Sequence, residues 1–213
     1  MNFNTFLDTI VNIKHLQLLG EEAHAKLSPP YRLQLAEKNK EKQKTAPKAG
    51  VMALFYPNSK NETQIVFILR KTYKGVHSAQ VGFPGGKVEI TDKDLKETAL
   101  RETEEEIGVP IKKIEVLKEL SPIYIPPSNF MVYPFLGISK NNLKFVKQDS
   151  EVETIIEVSI DDLLNDANVT NIKASTSYDR KVEVPAFLLN GYEIWGATAM
   201  ILSEIKVLLK ELF

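Results

Sequence analysis

The stretch that constrains this chain most is residues 85–109, GGKVEITDKDLKETALRETEEEIGV. A glycine pair opens it, and Gly108 with Pro110 just beyond it supplies a stop signal. Asp94 stands where an N-cap would, which predicts a helix over 94–107. On that helix Glu102, Glu105 and Glu106 are related by steps of three and four, so they share one side. Leu100, Thr103 and Ile107 fall roughly opposite and can face a core. Like charges at that spacing repel, so helix stability alone gives no reason to gather them. One explanation is a solvated acidic face. The other is a divalent cation, because carboxylates on one helix surface can hold ions that also take phosphate oxygens.

Composition narrows which ion that would be. The chain has no cysteine and only three histidines, so disulfides, thiol nucleophiles and thiolate metal sites are excluded. Oxygen ligands favour a hard cation, Mg²⁺ or Mn²⁺. A formal net charge of -1 argues against general nucleic-acid binding, which needs a positive excess. No apolar run approaches the roughly 18 residues of a membrane span. The start, MNFNTFLDTIVNIKHLQ, has neither the charged n-region nor the cleavage site of a secretory signal. The expectation is a cytoplasmic protein with no membrane or nucleic-acid partner, and 213 residues suffice for one core with a small extension.

Residues 1–48 differ in texture from the rest. Phe6, Leu7, Ile10, Val11 and Ile13 recur at nearly helical spacing, and Pro29-Pro30 then interrupts. Lys38, Lys40, Lys42, Lys44 and Lys48 follow, a run that reads as a solvated helix end or linker. From Val51, VMALFY and QIVFILR are short β-rich runs separated by a hairpin signal at residues 57–61. Strands are expected at 114–120, 131–138 and 152–158 and a short helix at 160–165, and Tyr178–Leu189 reads as another hairpin region. Trp195–Phe213 reads as an amphipathic helix burying Ala199, Leu202, Ile205, Leu208, Leu209 and Leu212. The pattern predicts an α/β fold, an α/β/α sandwich on a mixed sheet.

Gly85-Gly86 lets backbone approach a ligand closely, and Arg101 can pin a carboxylate with a bidentate bond. Together with Arg101-Glu102-Thr103-Glu104-Glu105-Glu106-Ile107-Gly108-Val109, they resemble the Nudix box. Thr103 stands where that pattern has an apolar residue. The spaced acid is Asp92 rather than glutamate, one residue further from Arg101 than usual. That form is similar to the branch of the family that hydrolyses coenzyme A. Arg70, His77 through Gly86, Pro126-Pro127-Ser128-Asn129-Phe130, Ile194 through Ala199 and Gly20 through His24 also look like that branch. Gly75 and Ala79 stand where such proteins usually carry a second arginine and a glycine, and Ile68 replaces a threonine.

The resemblance implies a Nudix hydrolase domain over 49–213, preceded by a helical extension and linker over 1–48. It implies metal-dependent cleavage of a pyrophosphate in coenzyme A, giving 4′-phosphopantetheine and adenosine 3′,5′-bisphosphate. Glu102, Glu105 and Glu106 are the implied ligands for Mg²⁺ or Mn²⁺, joined by the Gly85 carbonyl. Glu105 or Glu151 would be the general base, Asp92 a brace and Arg101 a clamp. Arg70, Lys71, Lys74 and His77 are the candidates for contact with a small-molecule substrate. Residues 1–48 could cover the core, shape the pocket or build a homodimer contact. Two rival readings are a Nudix hydrolase for ADP-ribose or a dinucleoside polyphosphate, and a silent module that senses a nucleotide or coenzyme.

Overall fold

The computed structural model describes residues 1–72, 79–175 and 180–213. The N-terminal part carries α1 (Phe3–Ile10), α2 (Glu21–Ala25), α3 (Arg32–Lys38) and α4 (Lys40–Lys44). Strands β1 (Lys48–Pro57), β2 (Thr63–Arg70), β3 (Val81–Gly82) and β4 (Gly85–Lys87) lead into α5 (Leu95–Ile107). Then come β5 (Glu115–Glu119), β6 (Ile123–Ile125), β7 (Phe130–Ile138), β8 (Val152–Ser159) and α6 (Ile160–Leu164). The chain finishes with β9 (Val169–Ser175), β10 (Arg180–Leu189), β11 (Tyr192–Trp195) and α7 (Gly196–Leu212).

The main sheet runs β3-β2-β1-β7-β5, with β4 also on β1, β6 on β7 and β8 on β2. It is mixed, because β1 and β7 are parallel while the other pairs are antiparallel. Side chains alternate along β1, which sorts its residues between two cores. Met52, Leu54 and Tyr56 meet Ala99 and Ile107 of α5 on one face. Ala49, Ala53 and Phe55 face α7 and α1 on the other. The result is the α/β/α sandwich that the pattern predicted. Among the described residues, no helix is long and apolar enough to cross a membrane.

Residues 1–48 join that second core. Phe3, Phe6, Ile10 and Ile13 are buried, and Phe6 lies 5.2 Å from Phe55 and 5.7 Å from Phe213, centroid to centroid. The lysine run is a solvated helical stretch, since α4 buries nothing and Lys44 pairs with Glu41 at 2.8 Å.

At the C-terminal end the structure refines two expectations. Of the expected hairpin region Tyr178–Leu189, residues 178 and 179 lie outside the described residues and 180–189 form one long strand, β10, paired antiparallel with β9 and β11; the tight turn into β11 is Asn190-Gly191, both at positive φ (50° and 79°). An Asn-Gly pair is the dipeptide such a turn needs, so the signal was in the sequence. Trp195 ends β11, and α7 is more than amphipathic: Ser203, Glu204 and Lys206 are buried alongside the apolar residues. The N-terminal segment covers Ser203 and Glu204, while Lys206 is held by the Asn165 carbonyl and Asp166. Ser203 Oγ donates to the Ala23 carbonyl at 2.7 Å, and Glu204 accepts from the Gly20 N–H at 2.9 Å.

Candidate active site

The helix that carries the acidic residues is fixed at both ends. Asp94 Oδ1 accepts from the Glu97 N–H at 2.7 Å, and Gly108 closes the helix in the left-handed region at φ 71°. Its first turn lies directly on β1, where a Cβ at Gly50 would stand 2.4 Å from the Leu95 carbonyl oxygen. Arg101 then ties the helix to the loop before it. Its Nε and Nη2 reach the two oxygens of Asp92 at 2.9 and 3.0 Å, and Nη2 also donates to the Lys87 carbonyl at 3.1 Å. Asp92 accepts in addition from Thr98 Oγ1 and from the Glu89 N–H, both at 2.9 Å. The bond from Arg101 is the largest cause of an Asp92 carboxyl held well below the usual range. Brace and clamp are therefore one interaction.

Glu106 and Glu102 flank strand β4. The Gly85 N–H donates to Glu106 Oε2 at 2.7 Å, and Arg70 Nη2 donates to the Gly85 carbonyl at 2.7 Å. Arg70 Nη1 stands 3.2 Å from Glu106 Oε1, yet that buried oxygen has no aligned hydrogen bond. Burial, reinforced by the charges of Glu102 and Glu151, outweighs Arg70 and Gly85 and pushes the Glu106 carboxyl up to about 7. Glu102 lies over Gly86, where any Cβ would stand 2.4 Å from its carboxylate. Burial raises the Glu102 pKa as well, against Arg101, whose Nη1 donates to it at 3.0 Å.

The remaining candidates spread out. Glu105 is 56% exposed and accepts from Arg101 Nη1 at 3.2 Å. Glu151 is exposed in the loop after Gln148, with its carbonyl accepting from the Lys71 N–H at 2.9 Å. Its charge nonetheless acts on both Glu102 and Glu106. Lys71 is half-buried and its charge acts on Asp149; it is not in the cavity wall described below. Lys74 and His77 lie outside the described residues.

Sharing a helix side therefore does not bring the glutamates to one point. Among the described residues no three acidic or imidazole groups converge closely enough to hold a metal. Arg101 draws Glu102 and Glu105, while Gly85 and Arg70 draw Glu106. The donor set still fits a hard cation. It offers carboxylates and a carbonyl, one buried carboxylate oxygen lacks an aligned donor among the described residues, and the neighbouring charges repel in a way a cation would relieve.

A cavity of about 710 Å³ opens on the α7 face of the sheet. Arg70, Gly85, Gly86 and Lys87 form its border toward the carboxylates, and the glutamates themselves do not line it. Phe83 is buried beneath, 5.1 Å from Phe67. Sequence reasoning missed Arg32, Lys87 and Ser128, which also line the cavity. Pro126-Pro127-Ser128 had drawn notice without a role, whereas Arg32 sits in a polar stretch that carries no signal.

A NUDIX domain model matches residues 46–178, more than half of the chain. Similar proteins include the uncharacterized Nudix hydrolases NudL of Yersinia pestis (strain Pestoides F) and Yersinia pseudotuberculosis (serotype O:1b, strain IP 31758). Each is 31% identical over 147 residues, covering 68% of this chain and 71% of the relative. Among solved structures, the MutT protein from Methanosarcina mazei Go1 is 17% identical with a TM-score of 0.49, covering 78% of this chain and 96% of that one. The chain belongs to the Nudix family. It is accordingly a pyrophosphohydrolase for nucleoside diphosphate derivatives, of a family that works with divalent metal ions.

Proposed function

We propose that the substrate is coenzyme A or an acylated form of it, cut at the diphosphate to give 4′-phosphopantetheine (or its acyl form) and adenosine 3′,5′-bisphosphate. One observation carries this reading. Segments far apart in the chain, each resembling the coenzyme A branch, meet in the walls of one cavity: Arg70, Gln80–Gly86, Pro126–Ser128 and Trp195–Thr198, with Pro84 alone not lining it. Its apolar walls suit a pantetheine arm or a base, and its charged border suits phosphates.

Glu102, Glu106 and the Gly85 carbonyl, with Glu105 beside them, are the groups that would hold Mg²⁺ or Mn²⁺. When bound, the ion supplies positive charge against the phosphates and a more acidic water. Arg70 spans the border, with the Gly85 carbonyl and Glu106 on one side and the cavity on the other, so it can orient a phosphate oxygen. Arg101 keeps Glu102 seated over Gly86. Glu151 is the better candidate for the base that takes the proton of the attacking water. Its charge reaches both Glu102 and Glu106, whereas Glu105 is engaged by Arg101.

The test is a substrate panel of coenzyme A, acetyl-coenzyme A, ADP-ribose and a dinucleoside polyphosphate, with Mg²⁺ and with Mn²⁺, and products identified by mass. Coenzyme A compounds should have the highest kcat/KM. Faster turnover of ADP-ribose or the polyphosphate would replace this substrate, and tight binding with the ligand recovered uncut would make the protein a sensor.

A further inference from the structure

We propose that Arg32, carried in by the N-terminal segment, recognises a second phosphate on the substrate, a phosphomonoester on the ribose that is separate from the diphosphate being cut. This rests on the diphosphate lying beside Gly85–Gly86. Arg32 lines the cavity and donates from Nη2 to the Tyr124 carbonyl. That bond engages one Nη2 N–H of a group with five N–H donors. Among the described residues no carboxylate pairs with Arg32, and the cavity wall contains Arg32, Arg70 and Lys87 but no acidic residue. Burial has already lowered the guanidinium to about 10, against an opposing electrostatic contribution from Tyr31, so this cation is partly stripped of water with no carboxylate beside it among the described residues. Ser128, in the same cavity wall, adds a hydroxyl oxygen that is buried and has no hydrogen-bond partner among the described residues.

The position of Arg32 separates it from the diphosphate. Its anchor, Tyr124, is on β6, and Gly86 is on β4, with β7 and β1 between them. The register runs Tyr124 to Met131 to Lys48 on one side, and Gly50 to Gly86 on the other. Three strand spacings amount to roughly 14 Å. The two phosphates of a single diphosphate cannot touch both ends of that span, whereas a nucleotide bearing a further phosphate on its ribose has a second anion to offer. A planar guanidinium suits a phosphomonoester because it can engage two oxygens at once.

Calorimetry with adenosine 3′,5′-bisphosphate and with AMP tests this on wild type, Arg32→Gln and Arg32→Lys. Wild type should bind the bisphosphate at least about tenfold more tightly, the worth of one charge-assisted contact. Arg32→Gln should lose that preference at unchanged AMP affinity. Arg32→Lys, which keeps a cation and the fold, should retain part of it. Equal affinities in wild type would overturn the proposal, as would a preference that survives Arg32→Gln, or a variant that weakens both ligands alike and so shows only an anchoring role. Failure of the two readings can be told apart. Discrimination without coenzyme A cleavage would remove the proposed substrate and leave Arg32 assigned. Cleavage with equal kcat/KM for coenzyme A and 3′-dephospho-coenzyme A would do the reverse.

Discussion

Two glutamates lie in the interior, one on each helical layer, and the protein treats them in opposite ways. Glu204 on α7 is fully buried, and Glu106 on α5 is 2% exposed. Around Glu204, the Gly20 N–H and Ser121 Oγ donate to one oxygen at 2.9 and 2.6 Å, and the Ser121 N–H donates to the other at 3.0 Å. His24 Nε2 stands 3.7 Å away, within ion-pair range but beyond a hydrogen bond. Burial alone would raise this carboxyl, yet nearby His24 first, then Ser121 and Gly20, outweigh burial and bring it down to about 2. Glu106 has one backbone donor, an arginine aligned with neither oxygen, and two like charges that act in the same direction as burial. The saturated carboxylate holds the fold together. The unsaturated one keeps an oxygen that, among the described residues, no hydrogen-bond donor fills.

The comparison can be broken most directly at Glu204. Replacing it with Leu strands the Gly20 and Ser121 donors in the interior, which should cost about 3–5 kcal/mol of stability. Urea unfolding at pH 7 measures this, and a loss below about 1 kcal/mol would mean the network is incidental. Turnover per folded molecule should be unchanged, because Glu204 does not line the cavity. Glu106→Gln should behave the other way round. We expect kcat to fall by at least about 100-fold, or about 2.7 kcal/mol, with Tm no lower than wild type. Near-full activity in that variant would remove Glu106 from the chemistry.

The pH dependence of stability sharpens the same contrast, because the two shifts have opposite signs. Glu204 is depressed from 4.5 to about 2, so its contribution is in place above 4.5 and drains away as pH falls toward about 2. Relative to Glu204→Gln, wild type should gain stability over that window as pH rises, and then level off. Glu106 is raised from 4.5 to about 7, so its relative contribution is in place below 4.5 and is lost as pH rises through about 7. Relative to Glu106→Gln, metal-free wild type should therefore lose stability between those values. Parallel slopes in unfolding titrations of the two pairs would contradict the comparison.

The sequence announced one of these glutamates and hid the other. Glu106 sits inside a local pattern, where Asp94, Arg101 and Gly108 act within a turn or two, so cap, clamp and stop could all be read from spacing. Glu204 lies in a helix whose apolar spacing implied a solvated opposite face. Its partners, Gly20 and Ser121, are 184 and 83 residues away along the chain. Only docking of the N-terminal segment turns that face inward. Helical spacing also showed that Phe6, Ile10 and Ile13 share a face, but not that Phe6 would pack against Phe55 and stack on Phe213. At the site, spacing put three glutamates on one side of α5 and Arg101 within reach of Glu102 and Glu105, yet the Arg70 that draws Glu106 the other way is set by the tertiary structure.

The smallest expected effect isolates geometry from charge at Gly86. A Cβ there would stand 2.4 Å from the Glu102 carboxylate, closer than atoms can pack, but the obstacle is the end of a flexible side chain. Gly86→Ala should therefore keep its fold, with Tm close to wild type, while Glu102 swings off its seat. The expected cost is about tenfold in kcat/KM, or about 1.4 kcal/mol. Gly50→Ala is the control, because its Cβ would meet backbone, the Leu95 oxygen at 2.4 Å and the Ala99 nitrogen at 3.0 Å, which cannot yield without moving α5. That variant should lose stability rather than intrinsic activity alone. If Gly86→Ala instead melts early, or turns over at the wild-type rate, then the seat of Glu102 over Gly86 is a packing detail, and the metal-holding set must be sought among Glu106, Glu105 and the loop of Glu151.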